Sequence, residues 1–479
     1  MKTQQVDVAI IGAGTAGMSA YRSALEHTRS VVVIEDGPYG TTCARVGCMP
    51  SKLLIAAAEA AHAATHAGRF GVQVEGVRID GRAVMQRVRS ERDRFVGFVL
   101  EAIESWPQAQ RLRGRARFVD DHVLDVGGHT RVRAQRIVIA TGSQPYVPAV
   151  WREALGDRLI VNDDVFAWQD LPSSVAVVGS GVIGLELAQA LHRLGVRTRL
   201  VGRSEHLGPL TDPALQALTR ELFARELPLT LNAGDGINIG RDADDDSVLL
   251  RLPGQAEERF DLLLCATGRR PRLDGLGLEH TLLPLDPNGV PVVDRRTGQV
   301  GSTHVFLAGD AADERMLLHE AADDGRIAGG NAGRWPEVRV HPRRTPLAVV
   351  FCEPQIMIAG SSHAELMASG VGFERGEVSF EDQGRSRVIG RNQGALHVYG
   401  ERGSGRLLGA EMIGPAAEHL GHLLSWSIQR GDTVQQMLDS PFYHPVIEEG
   451  LRSALRNLRR ALRMGPPPVE RCLDCGPGG

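Results

Sequence analysis

The fold of this 479-residue chain is constrained most by two glycine-rich turns of the form Gly-x-Gly-x-x-Gly. Each turn lies between an apolar strand and a helix. The first turn follows an expected strand over residues 6–11 and opens an expected helix over 18–26, and a second strand over 31–34 ends at Glu35. Glycines let the backbone approach a pyrophosphate at the helix N-terminus, and a terminal carboxylate accepts the ribose hydroxyls. This order of elements predicts a dinucleotide-binding βαβ unit, with turn residues Gly12, Gly14 and Gly17.

A second unit of the same kind begins near Val175 and ends near Val201. In this second unit, the position equivalent to Glu35 is Gly202, which follows Gly179 at the same interval as Glu35 follows Gly12. Arg203 comes next. A missing carboxylate beside an arginine can accept a 2′-phosphate, so the second site favours NADP(H). The alternative is a solvated Arg203 and NADH bound without the acid. The remaining turn residues are Gly181 and Gly184, and the helix carries Glu186.

Two cysteines, Cys43 and Cys48, follow the first unit and precede Pro-Ser-Lys at residues 50–52. Their spacing predicts two thiols on the first turn of one helix, where they can close a small disulfide ring. The helix N-terminus stabilises the thiolate that forms on reduction. The alternative is a pair of buried, inert thiols, which the polar Ser51 and Lys52 make the weaker interpretation.

Length and composition limit the class of protein. The length is typical of about three domains, and the formal net charge of −4 gives no reason to expect nucleic acid or an anionic membrane as a partner. No apolar run reaches the roughly 18 residues of a transmembrane helix, and a first strand at residue 6 leaves no room for a signal peptide. We therefore expect a cytoplasmic protein. Six cysteines in such a chain do not form a disulfide framework, and no metal site is predicted.

Three further apolar strands organise the chain. Two of them end in Ala-Thr-Gly, at residues 140–142 and 266–268, and the third ends in Ala-Gly-Asp at Asp310. Beyond residue 346 the pattern changes to alternating strands and two helices. These patterns predict a FAD-binding domain over 1–147, a NAD(P)-binding domain over 148–269, a return segment over 270–344, a dimerisation domain over 345–465 and a Cys-containing tail over 466–479.

Four motifs in this order carry a family resemblance: C-x4-C-x-P-S-K, the paired Ala-Thr-Gly strands, Ala-Gly-Asp, and H-P-x-x-x-E from His444 to Glu449. Over residues 6–463 the chain resembles the flavin disulfide reductases, a group that includes glutathione reductase and mercuric reductase, and within it the dihydrolipoamide dehydrogenases. The resemblance implies an α/β fold with two Rossmann-like dinucleotide-binding domains, for FAD and NAD(P), and a C-terminal α+β dimerisation domain.

The resemblance also implies which residues hold the cofactors. Glu186 would face Lys52 near the nicotinamide, and Gly268 would border the nicotinamide nucleotide. Beyond the first glycine turn, the FAD site would comprise Glu35, Thr42, Lys52, Gly114, Thr141, Gly142, Ser143, Asp310, Met316, Leu317, Leu318 and His319.

By the same resemblance, electrons pass between NAD(P)H, FAD and a Cys43–Cys48 disulfide. Cys48 would lie nearer the flavin as the thiolate, and Cys43 would exchange with a small-molecule or lipoyl-protein dithiol. Thiol exchange needs a proton acceptor near pH 7, a role that suits His444 with Glu449 to orient its ring. In this family the histidine reaches the partner subunit's dithiol, which implies a homodimer.

Several departures from the family pattern leave the substrate open. Arg45 replaces the usual asparagine between the cysteines, Val446 replaces a threonine, and residues 351–355 depart from T-x-P-E. Cys472 and Cys475 form a C-x-x-C pair in the tail, which is either redox-active or incidental. An NADPH-dependent disulfide or mercuric reductase is therefore the alternative to dihydrolipoyl dehydrogenase. A nucleotide-sensing scaffold without turnover is the alternative of another class.

Overall fold

The computed structural model describes residues 1–465, and the Cys472/Cys475 pair lies outside them. Its first domain is a mostly parallel sheet in the order β17-β18-β19-β6-β1-β2-β3, with an antiparallel extension through β4 and β5. The elements of the first segment are β1 (Lys2–Ile11), α1 (Thr15–Ala24), β2 (Val31–Glu35), α2 (Thr42–Val46), α3 (Cys48–Thr65), α4 (Gly81–Glu104), β3 (Arg111–Arg113), β4 (Ala116–Asp120), β5 (Val123–Val126), β6 (Thr130–Ile139) and β7 (Ser143–Pro145).

The second domain is a parallel five-stranded sheet in the order β11-β10-β9-β15-β8, with a separate antiparallel sheet β12-β13-β14 beside it. It repeats the βαβ arrangement of the first domain, as the second glycine turn predicts. Its elements are α5 (Ala149–Leu155), β8 (Leu159–Ile160), α6 (Asn162–Val165), β9 (Ser174–Val178), α7 (Val182–Arg193), β10 (Arg197–Val201), α8 (Pro213–Ala224), β11 (Leu229–Thr230), β12 (Asn238–Arg241), β13 (Val248–Arg251), β14 (Glu258–Phe260) and β15 (Leu262–Cys265).

The chain then returns to the first sheet. β16 pairs with β7 in a two-stranded antiparallel ribbon, and β19 pairs in parallel with β6. The returning helix α9 packs on α1 at very close range, because a Cβ at Gly325 would lie 2.1 Å from the Ala16 carbonyl oxygen. The returning elements are β16 (Arg269–Pro271), β17 (Val293–Asp294), β18 (Gln299–Val300), β19 (Val305–Leu307) and α9 (Leu318–Arg334).

The C-terminal domain is an antiparallel sheet in the order β20-β21-β24-β23-β22, and helices α12 and α14 pack on it. Its core is apolar and includes Phe380, Leu396, Leu424 and Leu455. The elements are β20 (Leu347–Val350), β21 (Gln355–Gly360), α10 (His363–Ser369), β22 (Phe373–Ser379), α11 (Gly384–Val388), β23 (Ala395–Glu401), β24 (Leu407–Gly414), α12 (Ala417–Arg430), α13 (Val434–Leu438) and α14 (Glu448–Ala461).

Several predicted elements differ from the observed ones, and the first strand begins at Lys2 rather than at residue 6. The first helix spans Thr15–Ala24 rather than 18–26, because the Gly14 backbone already adopts the extended N-cap conformation. The C-terminal domain has five helices rather than the predicted two. The three additional helices are only five to seven residues long. The two cysteines lie on separate helices, as described below. Among residues 1–465, none of the helices is both long enough and apolar enough to cross a bilayer.

Candidate active site

A cavity of about 600 Å³ opens where the parallel strands β1, β6 and β19 end, at the carboxyl edge of the first sheet. Ligands of doubly wound α/β sheets bind at this edge. Most of the predicted FAD-site residues and both cysteines therefore share one cavity. It is lined, among others, by Gly12, Gly14, Glu35, Thr42, Cys43, Cys48, Lys52, Gly114, Thr141, Gly142, Ser143, Glu186, Asp310, Met316, Leu317, Leu318 and His319.

The first glycine turn is shaped for close approach of a ligand. Gly12 has φ +108°, and a Cβ there would lie 2.3 Å from the Ala140 carbonyl oxygen. A Cβ at Gly14 would meet nothing within 4 Å, so this backbone is open to the cavity. Gly17 does not line the cavity; a Cβ there would meet the Gly12 carbonyl oxygen at 1.9 Å. The third glycine thus allows the helix to pack on the turn.

Polar groups around this cavity fit FAD. Glu35 accepts hydrogen bonds from the backbone N–H of Ala13 (2.7 Å) and Gly37 (2.8 Å), which fixes its carboxylate at the end of β2. The Asp310 carboxylate accepts from Ser143 Oγ at 2.7 Å. The buried Thr141 Oγ1 has no partner within residues 1–465, so a cofactor hydroxyl or carbonyl can satisfy it. Burial lowers the pKa of His319, so this imidazole is neutral near pH 7.

The two cysteines lie on consecutive helices rather than on one first turn. Cys43 belongs to α2, and Cys48 is the first residue of α3. Gly47 separates the helices, because its backbone (φ −130°, ψ −117°) is not helical. Both thiols are free in this structure, and the Cys43–Cys48 hydrogen bond is the largest cause of the pKa shift of each thiol.

The two thiols have opposite pKa shifts. The hydrogen bond donated by Cys43, aided by the charge of Lys52, lowers the pKa of Cys48 to about 7 against the effect of burial. The same hydrogen bond, together with burial, raises the pKa of Cys43. Above about pH 7 the pair therefore holds one proton on Cys43 and a thiolate at Cys48.

Lys52 and Glu186 form an ion pair between the two nucleotide-binding domains. Lys52 Nζ lies 2.7 Å from Glu186 Oε2, so the two residues face each other. Glu186 is buried on α7 and also accepts the backbone N–H of Phe351 at 2.8 Å. The ammonium lies 4.8 Å from the centre of the Phe351 ring. The pair is thus anchored by the C-terminal domain as well, a contact that no local sequence pattern indicates.

The second glycine turn repeats the geometry of the first. A Cβ at Gly179 would lie 2.1 Å from the Ala266 carbonyl oxygen, and one at Gly184 would lie 1.8 Å from the Gly179 carbonyl oxygen. The backbone at Gly181 and at Gly268 is open, with no atom within 4 Å of an added Cβ. This arrangement is suited to a second dinucleotide, placed on the α7 side of the Lys52–Glu186 pair.

The position expected to bind the ribose of this second nucleotide carries no side chain. A Cβ at Gly202 would lie 2.5 Å from Ser180 Oγ and 2.7 Å from the Leu231 side chain, so a carboxylate there would require both side chains to move. Arg203 is 77% exposed and pairs with the equally exposed Asp235 at 2.8 Å. Its guanidinium is therefore at the surface and already has an anionic partner.

His444 and Glu449 form a hydrogen-bonded pair at the start of α14. His444 Nδ1 lies 3.0 Å from Glu449 Oε2, and the carboxylate also accepts from Arg452 Nη2 at 3.1 Å. Glu449 is 2% exposed, whereas the His444 side chain is 55% exposed. A carboxylate at Nδ1 holds the proton there, which leaves Nε2 free to accept one. His444 does not line the cavity that contains the cysteines of its own chain.

One residue that the sequence did not assign also organises the site. Arg269 donates from Nε to Ser143 Oγ at 2.9 Å and from Nη2 to the Ser143 carbonyl oxygen at 3.1 Å. Ser143 in turn holds Asp310, so Arg269 links the second Ala-Thr-Gly strand to the cofactor cavity. Its position directly after that motif was the available signal.

Two dinucleotide sites that meet at a dithiol define a nicotinamide- and flavin-dependent disulfide oxidoreductase. Family models agree: residues 6–325 match the pyridine nucleotide-disulphide oxidoreductase model, and residues 347–455 match its dimerisation domain. The chain belongs to the pyridine nucleotide-disulphide oxidoreductase family, whose members use FAD and NAD(P)H. The predicted fold class and cofactors are thereby confirmed.

Relatives within the family differ in activity. The chain is 33% identical over 456 residues to the mercuric reductase of Streptomyces lividans, covering 92% of this chain and 93% of the relative. It is 28% identical over 459 residues to the dihydrolipoyl dehydrogenase of Bacillus subtilis strain 168, covering 94% and 97%. Its fold matches that of LpdA from Mycobacterium tuberculosis with a TM-score of 0.80 at 24% identity, covering 96% and 99%.

Proposed function

We propose that the protein is a dihydrolipoyl dehydrogenase-type enzyme, which passes two electrons from a dithiol substrate through Cys43–Cys48 and FAD to NAD(P). The observation that carries this proposal is the His444–Glu449 pair, in which a buried carboxylate orients an exposed imidazole. A dithiol substrate must lose a proton before its sulfur attacks, so a base of this kind has a direct use.

FAD would be held by the first glycine turn, Glu35, Thr141 and Asp310. The nicotinamide nucleotide would be held by the second glycine turn beside Glu186. Bound FAD supplies two-electron exchange between the dithiol and the nicotinamide. The chain's own residues position and protonate the sulfur chemistry. Lys52 carries a positive charge at the thiols, and Glu186 fixes that ammonium at 2.7 Å.

In the sulfur exchange, His444 Nε2 takes the proton of the first substrate thiol. The resulting thiolate attacks Cys43 Sγ of the Cys43–Cys48 disulfide, and Cys48 leaves as a thiolate. His444 releases this first proton to solvent and takes the proton of the second substrate thiol. The second thiolate attacks the substrate sulfur of the mixed disulfide, and Cys43 leaves and takes that proton from His444. The substrate ends as a cyclic disulfide, and the enzyme ends with a Cys43 thiol and a Cys48 thiolate. Cys48 suits the leaving role because its pKa of about 7 is low for a thiol.

We further propose that the enzyme is a homodimer in which His444 serves the partner subunit's dithiol. The dimerisation-domain match supports an assembly of two chains. Helix α12 carries Trp426, whose side chain is 57% exposed, near the exposed Leu423. Large apolar groups of this kind favour burial against a second copy. A cytoplasmic location fits the free dithiol, because reducing compartments preserve thiols.

Mercuric reduction is the second candidate, and the identity to mercuric reductases favours it. Hg(II) binds thiolates directly, so this reaction has less need of His444 as a proton acceptor. Comparing dihydrolipoamide, glutathione disulfide and Hg(II) as substrates, each with NAD(H) and NADP(H), separates the candidates. A protein that binds both nucleotides but turns over none of these substrates would support the scaffold alternative.

The direct test of the proposal is His444→Gln. Dihydrolipoamide oxidation should fall by at least ~10² because the proton acceptor is lost, while flavin reduction by the nicotinamide continues at the rate of the unaltered enzyme. His280→Gln is the matched control, since His280 is an exposed histidine beside a glutamate and outside the cavity. Unchanged turnover in His444→Gln would remove this residue from the mechanism.

A further inference from the structure

Arg45 is a cation placed between the two redox cysteines on the short helix α2. It is half-buried and lines the same cavity as Thr42, which lies three residues earlier and therefore on the same helix face. Ala44, between them, is buried and does not line the cavity. The face of α2 that carries Thr42 and Arg45 thus points toward the cofactor cavity.

The Arg45 side chain extends toward Gly40 and Pro38. Its stem packs on Gly40, where an added Cβ would lie 3.1 Å from Arg45 Cδ. Nη1 makes one long hydrogen bond, 3.5 Å to the Pro38 carbonyl oxygen. The charge of Arg45 acts on the carboxyl of Asp163, whereas Lys52 is the cation that acts on both thiols. Arg45 therefore belongs to the part of the cavity near Pro38 rather than to the dithiol.

Arg45 keeps unused hydrogen-bonding capacity there. Two other cations of the cavity lie against carboxylates: Lys52 against Glu186 at 2.7 Å, and Arg272 against Asp36 at 3.1 Å. Within residues 1–465, Arg45 has no carboxylate within 4.0 Å, and its single hydrogen bond leaves most of its five N–H groups free. A free guanidinium in a cofactor cavity is matched to a phosphate, which it can bind bidentately.

We propose that Arg45 binds the diphosphate of FAD, as a counter-charge additional to the N-terminus of α1. The open backbone at Gly14 admits the diphosphate to that helix end, and Thr42 and Arg45 face the same cavity from α2. Glu35 places negative charge at the neighbouring end of β2, so an added cation offsets its repulsion of the phosphates. The proposal rests on FAD as the cofactor and not on the identity of the sulfur substrate.

The test compares FAD release from the purified holoenzyme and from its Arg45→Gln and Arg45→Lys variants. One or two charge-assisted hydrogen bonds are lost in Arg45→Gln, so FAD should be released about ten- to a hundredfold faster, followed by the rise in flavin fluorescence. FAD release from Arg45→Lys should be faster than from the unaltered holoenzyme and slower than from Arg45→Gln, because an ammonium binds phosphate without the bidentate geometry of a guanidinium. Arg82→Gln is the control, since Arg82 is a surface arginine paired with Asp170 outside the cavity.

A second measurement separates phosphate binding from support of the loop. The ³¹P resonances of bound FAD should shift in Arg45→Gln and stay unchanged in Arg82→Gln. Unchanged FAD release in Arg45→Gln would overturn the proposal. So would faster release with unshifted ³¹P resonances, because Arg45 would then hold the 38–45 segment in place rather than contact the diphosphate. Both readouts are independent of turnover, so they stand whichever substrate the enzyme uses.

Discussion

At the scale of single residues, one hydrogen bond makes two chemically identical thiols unequal. Cys43 donates to Cys48, and this is the largest cause of the lowered pKa of Cys48. Cys43→Ala removes the donor and should raise that pKa from about 7 to about 8–9, since a hydrogen bond to a charged group contributes about 1.5–3 kcal/mol. Cys43→Ser retains a donor and should keep the value near 7.

The measurement is the pH dependence of iodoacetamide alkylation, followed on the Cys48 peptide by mass spectrometry so that the other cysteines do not contribute. Buried Cys265 is an internal control, because burial raises its pKa. Alkylation midpoints that stay near pH 7 in both Cys43→Ala and Cys43→Ser would assign the low pKa of Cys48 to Lys52 instead.

Nicotinamide choice is also decided by single residues. We predict that NADP(H) is used at least as well as NAD(H), since no acid at Gly202 repels a 2′-phosphate and Arg203 can pair with one. The phosphate must displace Asp235, but that ion pair is exposed and contributes little. Arg203→Ala should lower kcat/KM for NADPH about tenfold or more and leave that for NADH unchanged.

Asp235→Asn gives the complementary result, because it frees Arg203. Its kcat/KM for NADPH should rise by up to about fivefold, with no change for NADH. A strong NADH preference that neither substitution alters would show that Arg203 only faces solvent.

At the scale of elements, helix α8 is tied to the C-terminal sheet through its N-cap. Asp212 caps α8 at the Ala214 N–H (2.9 Å) and accepts from His397 and Tyr399 on β23. These hydrogen bonds and the His397 charge overcome burial and lower the pKa of Asp212 well below its ordinary value. The ionised carboxylate therefore stabilises the fold above the unfolded pKa of about 3.9, and this contribution is lost as the pH falls toward the lower folded value.

Asp212→Asn keeps an N-cap acceptor and removes the charge. Unfolding of this variant in urea at pH 7 should show a loss of about 1.5–3 kcal/mol, and the difference from the unaltered protein should shrink below pH 4. Asp439→Asn, an exposed aspartate on another helix end, is the control. A difference that is constant from pH 7 to pH 3 would mean that the carboxylate is not ionised in the folded protein.

The elements also show what the sequence could predict and what it could not. Both βαβ units were predictable because their glycines occupy sites where a side chain would overlap backbone, as Gly12 and Gly179 do. The break at Gly47 was missed although the sequence carries signals for it: the cysteines are five positions apart, more than one helical turn, and Gly47 and Pro50 mark the start of a second helix. Contacts between domains, such as Phe351 with Glu186, depend on packing that no local pattern encodes.

At the scale of the whole molecule, the separation of His444 from the cavity of its own chain has a consequence for assembly. A site completed by the partner subunit's histidine predicts complementation between two inactive variants. Cys43→Ser removes the exchanging thiol, and His444→Gln removes the base, so each variant alone should form an inactive or nearly inactive homodimer. A hybrid dimer of the two contains one site with an intact dithiol and, from the partner, an intact histidine.

We therefore expect the hybrid, isolated after co-expression with two different affinity tags, to show about half the dihydrolipoamide oxidation of the unaltered dimer, because one of its two sites is complete. If His444 served its own chain, every site of the hybrid would carry one defect, and its activity would stay at the level of the His444→Gln homodimer. A hybrid made from Cys43→Ser and a chain carrying both substitutions should be inactive in either case. Activity in the first hybrid and not in the second would establish that each catalytic site is built from two chains.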